Sequence, residues 1–364
     1  MTTKEEITAL LRKLVSFKTT ADNPEELSKC IDFVKGFLPK TLIVKKYVKN
    51  KKPSLVITFA KTKNPEIFFA CHLDVVPAPD SMFVPRIKGK RMYARGSYDD
   101  KGSAAALICL MRDFAKEGKK PSVGLILTTD EEIGGENGMG FLVKKGFRSD
   151  FAIVPDAGKD FNIVVKEKGV LRAKMVAKGK AAHGSKPWKG DNAIEKLMNA
   201  YLRIKEAFPK TTPKNRWKAT INLGRISGGD VVNRVPDHAE AELDIRFTEN
   251  ELERKIIERI RNKIRKIKRV KVEFSMHRPP LVINPKNRHI LGLKNSLEKA
   301  LNRKIEHQYE HGASDASYFS EKKVPVALVM PKGANAHAQQ EYIDLDSLHV
   351  FYRAMRLFIE QNVK

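Results

Sequence analysis

The chain is poor in several things, and each shortage removes a class of protein. Among its 364 residues there is no apolar run of about 18 residues, the length a membrane-spanning helix needs, so no membrane partner is expected. The opening Met1-Thr2-Thr3-Lys4-Glu5-Glu6 lacks an apolar stretch followed by a small-residue cleavage site, so a secretory signal is not expected. Only three cysteines occur, Cys30, Cys71 and Cys109, far apart and without C-x-x-C spacing. That argues against a disulfide framework or a cysteine zinc site and points to a reducing, cytoplasmic compartment. Neither a G-x-S-x-G nucleophile elbow nor a G-x-x-x-x-G-K-[ST] phosphate loop is present, which disfavours serine hydrolases and nucleotide-binding proteins.

Acidic residues are also short: 43 Asp and Glu face 69 Lys and Arg, a net charge of +26. Such a balance raises the question of a polyanionic partner. The basic residues are spread along the chain, densest from Arg254 to Lys271, with no zinc finger or aromatic RNA-binding signature. A solvated lysine-rich exterior is therefore the expectation, and nucleic acid is not an expected partner.

What is present is enough apolar sequence for two packed domains. Apolar positions at helical spacing predict helices over 3–18 and 25–37, followed by strands near 42–48, 53–59 and 66–71. Alternation then sets in: helix 101–117, strand 122–129, helix 138–145, strand 151–154. This predicts an α/β domain with helices around a mainly parallel sheet, whose functional groups gather at strand ends. Beyond Lys168 the pattern changes to strands 169–177, 218–227, 238–247 and 269–276 with helices 193–208 and 249–266, an inserted α+β domain. The proline-rich Arg278–Pro285 stretch marks the return. The expected division is 1–168 and 285–364 for the first domain and 169–284 for the insert.

Five segments carry candidate chemistry. In Cys71-His72-Leu73-Asp74 an extended chain puts His72 and Asp74 on one face, where the imidazole can bind a metal through one nitrogen while Asp74 accepts from the other. A structural ion pair is the alternative. Arg95-Gly96-Ser97-Tyr98-Asp99-Asp100-Lys101-Gly102 sets two carboxylates before an alanine-rich helix, where they serve either the helix dipole or a cation. Asp130-Glu131-Glu132-Ile133-Gly134-Gly135-Glu136 crowds four acids after a buried strand, to be solvated or neutralised by metal. Val154-Pro155-Asp156 and Ala336-His337-Ala338 are ordinary alone.

In this order the segments resemble the dinuclear zinc peptidase and deacylase family M20, which contains glutamate carboxypeptidase, aminoacylase, carnosinase-like dipeptidases and succinyl-diaminopimelate desuccinylase. The resemblance runs over nearly the whole chain. It implies that His72 and Asp156 bind one metal, Glu132 and His337 the other, and that Asp99 bridges them. It further implies that Asp74 supports His72, that Glu131 is the general acid/base, and that a cis peptide joins Asp99 to Asp100. Two zinc ions are implied, with cobalt or manganese admitted by the carboxylate and imidazole donors. Their charge would balance the three ligand carboxylates and one hydroxide.

In the insert, His183-Gly184-Ser185-Lys186-Pro187 through Asn192-Ala193-Ile194 resembles the family stretch whose histidine reaches the developing oxyanion, often across a dimer. The insert is then a lid and dimerisation domain, and a homodimer is implied. Asn233, and Arg246 as a carboxylate fork, resemble substrate-binding positions, with a strand-surface ion pair as the alternative for Arg246. Gly312 and Ser314 fall in a loop resembling one near the scissile bond. The chain departs from the family at Ala94, a usual glycine, at Asp100, often methionine but aspartate in dipeptidase-like branches, and at Ser317, where desuccinylases usually carry arginine. The expected function is metal-dependent hydrolysis of an amide bond in a small carboxylate-bearing substrate, a dipeptide or N-acyl amino acid. A desuccinylase or acetyl amino acid deacetylase is the nearer alternative, and a basic nucleic-acid-binding protein without hydrolysis the remote one.

Overall fold

The computed structural model describes residues 2–363, and the chain divides into two compact units. The first comprises Met1–Lys166, Ile283–Glu310 and Ser314–Lys364, and the second Glu167–Val282 with His311–Ala313.

The first unit is built on a sheet in which Ile43–Lys49, Lys52–Thr58, Val123–Thr128, Ile67–His72, Phe151–Val154 and Val326–Leu328 lie side by side in that order. The first two strands form a hairpin closed by Asn50 and Lys51, both at positive φ (48° and 61°), as a two-residue hairpin with right-handed strand twist requires. The next four are mutually parallel. Val123–Thr128 and Ile67–His72 are buried at every position, which explains their unbroken apolar runs instead of an alternating pattern. Parallel pairing also puts the ends of these strands on one edge: His72 lies level with Thr128, and Phe69 with Ile153. This is the α/β class expected.

Helices flank the sheet. Thr3–Ser16 starts with a capping box between Thr2 and Glu5, and Pro24–Phe37 with an Asn23 cap and proline in its first turn. Lys101–Lys116 begins with small residues because its first turn has no room: a Cβ on Gly102 would come within 2.4 Å of the Ser97 carbonyl oxygen.

A second, small sheet of Gly333–Ala334, Tyr342–Asp344, Arg91–Tyr93 and Arg86–Lys88 was not foreseen from the sequence. Its strands are only two or three residues long, too short to leave a periodic signature. Functionally it matters, since pairing of Tyr342 with Tyr93 ties the His337 loop to the chain leading into Asp99.

The second unit is two layers. An antiparallel sheet in the order Thr220–Gly228, His238–Phe247, Gly169–Lys178, Val270–Arg278 carries helices Ala193–Lys205 and Glu253–Ile264. Alternate residues of Gly169–Lys178, including Leu171, Ala173, Met175 and Ala177, join Leu197, Ile204, Ile256, Ile260 and Ile264 in one apolar core. The second helix starts at Glu253 and not near 249 as expected, because Thr248 accepts a backbone hydrogen bond from Glu251 in a turn first. Among the described residues no helix is long and apolar enough to cross a membrane.

Candidate metal centre

The carboxyl edge of the central sheet gathers the acidic segments. His72 closes its strand, with Nε2 2.9 Å from Asp99 Oδ1 and 3.6 Å from Asp156 Oδ1. Its other ring nitrogen, Nδ1, lies 3.0 Å from the Asp74 carbonyl oxygen and 3.6 Å from that residue's carboxylate. The Asp74 carboxylate is instead turned to the next strand end, accepting the backbone N–H groups of Glu131 (3.2 Å) and Glu132 (3.0 Å). One fully buried residue thus orients the His72 ring through its backbone and the Glu131-Glu132 turn through its side chain.

That turn needs its glycines. Gly134 and Gly135 have φ of 108° and 67°, and a Cβ on Gly135 would meet Asp315 Oδ1 at 2.2 Å. The geometry leaves Glu132 directed at His337, whose Nε2 is 3.0 Å from Glu132 and 3.1 Å from Asp99 Oδ2. Two triads result, His72–Asp99–Asp156 and Asp99–Glu132–His337, and within each the donor atoms lie within 4.8 Å of one another. They share Asp99, one oxygen facing each imidazole. The Asp99–Asp100 peptide bond is cis.

A cation suits this donor set. Ligands at about 2.0–2.1 Å around a tetrahedral ion stand about 3.3 Å apart. The observed separations run from 2.9 to 3.6 Å. Charge points the same way, since four carboxylates, Asp99, Glu131, Glu132 and Asp156, crowd two imidazoles. Burial first, then the neighbouring Asp156 charge, pushes Glu131 well above the usual carboxylate range, and burial lifts Asp156 to about 6. Burial also opposes ionisation of Asp99, but hydrogen bonds from His337 and His72 outweigh it and hold its carboxyl low. Bonds to Asp99 and Glu132 raise His337 to about 10. Burial opposes charging of His72, yet Asp156, Asp74 and Asp99 raise it well above its ordinary value. Without added positive charge the cluster can settle only by taking up protons.

Three further residues hold the site and carried no assigned role in the sequence. Arg95 Nη1 donates to Glu341 Oε2 at 2.5 Å, both side chains almost wholly buried, while Glu341 Oε1 accepts the N–H groups of Tyr98 (3.0 Å) and Asp99 (3.2 Å). Lys101, fully buried, donates to the carbonyls of Leu14 (3.0 Å) and Phe17 (2.9 Å), and burial pulls its ammonium down to about 8. The ordered R-G-x-x-D-x-K-G segment contained Arg95 and Lys101, but nothing in spacing links Arg95 to a carboxylate 246 residues on.

In the second unit, His183 and Asn233 are brought together. The strand Ala182–His183 pairs with Arg234–Val235, and the Gly184 N–H donates to the Asn233 carbonyl at 2.7 Å. A Cβ at Gly184 would sit 2.9 Å from the Asn233 backbone. The exposed His183 ring has Nδ1 2.8 Å from Ser185 Oγ, and Asn192 caps the helix that follows. Arg246 lies elsewhere in local terms, forked on Asp244 of its own strand at 2.7 and 3.1 Å, which is the ion-pair alternative in physical form. Gly312 has open space where a Cβ would be, and Ser314 is buried, its Oγ accepting the Ala316 N–H.

A mainly parallel sheet thus carries on its carboxyl edge two imidazole–carboxylate triads of a kind that can hold metal ions. The chain belongs to peptidase family M20/M25/M40, whose sequence model matches residues 68–361. A probable carboxypeptidase of Aspergillus terreus is 33% identical over 196 residues, covering 50% of this chain and 45% of that protein. The chain spans about half the length of such curated carboxypeptidase relatives. The succinyl-diaminopimelate desuccinylase of Orientia tsutsugamushi is 25% identical over 100% of this chain and 99% of its own. In fold, the chain is similar to an M20 family metallo-carboxypeptidase of Sulfolobus solfataricus (TM-score 0.81, 19% identity, 98% of each chain covered). It is likewise similar to human carnosine dipeptidase 1 (TM-score 0.78, 15% identity, 98% and 95% covered).

Proposed function

We propose that the protein hydrolyses an amide bond in a small substrate with a free carboxylate, a dipeptide or N-acyl amino acid. The observation that carries this reading is the sharing of Asp99 between two imidazoles with Glu131 beside them. His72 and Asp156 would hold one divalent cation, Glu132 and His337 a second, with Asp99 common to both. Zinc suits these donors best, and cobalt or manganese are admissible. Bound there, the cations would supply Lewis acidity to the scissile carbonyl and lower the pKa of water.

The remaining work falls to the chain. Glu131 takes a proton from the attacking water and hands it to the leaving amine, a role suited to a carboxyl whose pKa its surroundings raise. Asp74 holds that residue in place through its backbone N–H. His183, on the strand beside Asn233, is the proposed donor to the carbonyl oxygen as it gains charge. The family resemblance further supports a homodimer formed through the 167–282 unit. The three buried free thiols fit a cytoplasmic location.

Desuccinylation is the second reading, favoured by the full-length Orientia relative. Ser317 speaks against it, since its hydroxyl is buried and donates to the Ser314 carbonyl at 3.0 Å, where a carboxylate-binding arginine is the usual residue. Purified protein supplemented with zinc, cobalt or manganese, assayed on dipeptides, N-acetyl amino acids and succinyl-diaminopimelate with metal content measured in parallel, separates the readings. Turnover of dipeptides or N-acetyl amino acids is expected. Turnover of the succinyl substrate alone would replace this proposal with the second, and turnover of none with metal bound would contradict both.

A further inference from the structure

The two sides of the second unit treat their charges differently. On the side of the sheet away from the helices, three basic side chains have acidic partners across or along the strands: Lys174 with Glu240 at 2.6 Å, Arg225 with Glu242 at 3.4 Å, and Arg246 with Asp244 of its own strand at 2.7 Å. Such pairs are a local means of solubility and cross-strand support. The helix Glu253–Ile264 and the turn after it follow another rule. From Arg254 to Arg269 nine of sixteen residues are basic and one, Glu258, is acidic.

Their placement on the helix is ordered. Ile256, Ile260 and Ile264 face the core, and the rest of the circumference carries the cations. Arg259 pairs with Glu251 at 3.2 Å, Arg261 lies over the Phe274 ring at 5.6 Å, and Arg269 donates to the Gly179 carbonyl at 3.3 Å. Arg254, Lys255, Lys263, Arg265, Lys266 and Lys268 are exposed and have no side-chain hydrogen bond or ion pair among the described residues. Mutual repulsion along a helix face disfavours the folded state, so these six unpaired cations do nothing for the unit's own stability.

We propose that this helix face is a docking surface for the phosphate backbone of a nucleic acid, bound without regard to base sequence. Charge complementarity selects a polyanion. A second copy of the chain is disfavoured there, because it would set like charges face to face. A lipid surface is also disfavoured, because the isoleucines that an interfacial helix would insert are already packed into the core. A helix of 12 residues is about 18 Å long, and a duplex presents one phosphate charge per about 1.7 Å of its axis, so several cations can engage at once. The densest basic run is visible in the sequence, but its meaning emerges only from the contrast between the paired cations on the sheet and the six unpaired ones on the helix and the turn after it.

The test is fluorescence anisotropy of the full-length protein with a labelled duplex of about 20 base pairs, titrated between about 50 and 200 mM salt. Binding should weaken steeply with salt. The quadruple variant Arg254→Gln, Lys255→Gln, Arg265→Gln, Lys266→Gln should bind on the order of 30-fold more weakly at the low-salt end, with a salt slope shallower by about 3 to 4. Lys174→Gln on the sheet side should change nothing, and Arg254→Lys with Arg265→Lys should retain binding. Thermal melting of each variant reports folding, and the lysine variant keeps the test open if the glutamine variant fails to fold. Absence of binding at low salt, equal weakening by Lys174→Gln, or tighter binding to phosphatidylserine vesicles than to the duplex would each overturn the proposal.

Discussion

The two triads that share Asp99 are built on unequal foundations. His72 is 2% exposed and ends a strand buried on both faces, whereas His337 is 53% exposed and stands at positive φ (62°) on a loop between two very short strands. The first half is held by the central sheet, and the second is held by the small sheet and by Glu341. The contrast teaches that a sheet edge can fix one side of a polar cluster rigidly, while the other side depends on a short-range clasp.

Glu131→Gln gives the largest effect and sharpens the comparison by leaving both triads whole. Turnover should fall by about 10²–10⁴ with metal content unchanged, read by steady-state kinetics beside elemental analysis. Retained turnover would remove the proton-transfer role from Glu131.

The histidines break the comparison in different ways. His72→Ala should cost metal and also about 2–4 kcal/mol of stability, since it leaves buried carboxylates facing one another. His337→Ala should cost metal with a melting temperature close to that of the parent. Equal melting losses for the two would mean that the halves are not built differently. Next in size, Glu341→Gln should weaken metal binding by about 10–100-fold through loss of the Arg95 pair and of the hold on the Asp99 N–H, as measured by competition with a chelating dye. An unchanged metal affinity would reduce that buried pair to a support of the fold.

The smallest effect lies away from the centre. Arg356 forks on Glu117 at 2.7 Å for both bonds, joining helices Lys101–Lys116 and Leu345–Asn362, and with Lys119 it lowers Glu117 to about 2 from 4.5. A carboxyl lowered on folding contributes stability that is complete above its unfolded value and fades as pH falls from about 4.5 toward 2. Because the pair is partly exposed, the contribution stays below about 1 kcal/mol. Arg356→Ala should therefore lower the melting temperature of metal-free protein slightly at pH 6 and progressively less toward pH 3, and a difference that grows with acid would reverse the sign.

What was legible in the sequence follows from how each element declares itself. The helix expected at 101–117 is found at Lys101–Lys116, and the strand expected at 66–71 is found at Ile67–His72, because long apolar periodicities leave a strong local signal. The small sheet left none. Motif order brought out the acidic strand ends, yet it did not show that the Asp74 carboxylate turns to the Glu131 and Glu132 amides while its carbonyl serves His72. Nor could it find the Arg95–Glu341 pair, which exists only once distant segments meet. For Arg246, a strand-surface partner and a substrate fork look alike in sequence, and only the structure shows that Asp244 of the same strand is its partner.

Anomalous diffraction at the zinc edge from crystals grown with zinc addresses the shared aspartate most directly. The account predicts two peaks, one on each side of Asp99, about 3.5–4 Å apart and about 2.0–2.2 Å from the ligand atoms of His72, Asp156, Glu132 and His337. A single peak with Asp99 bound on one side only, or zinc bound away from these five residues, would contradict it.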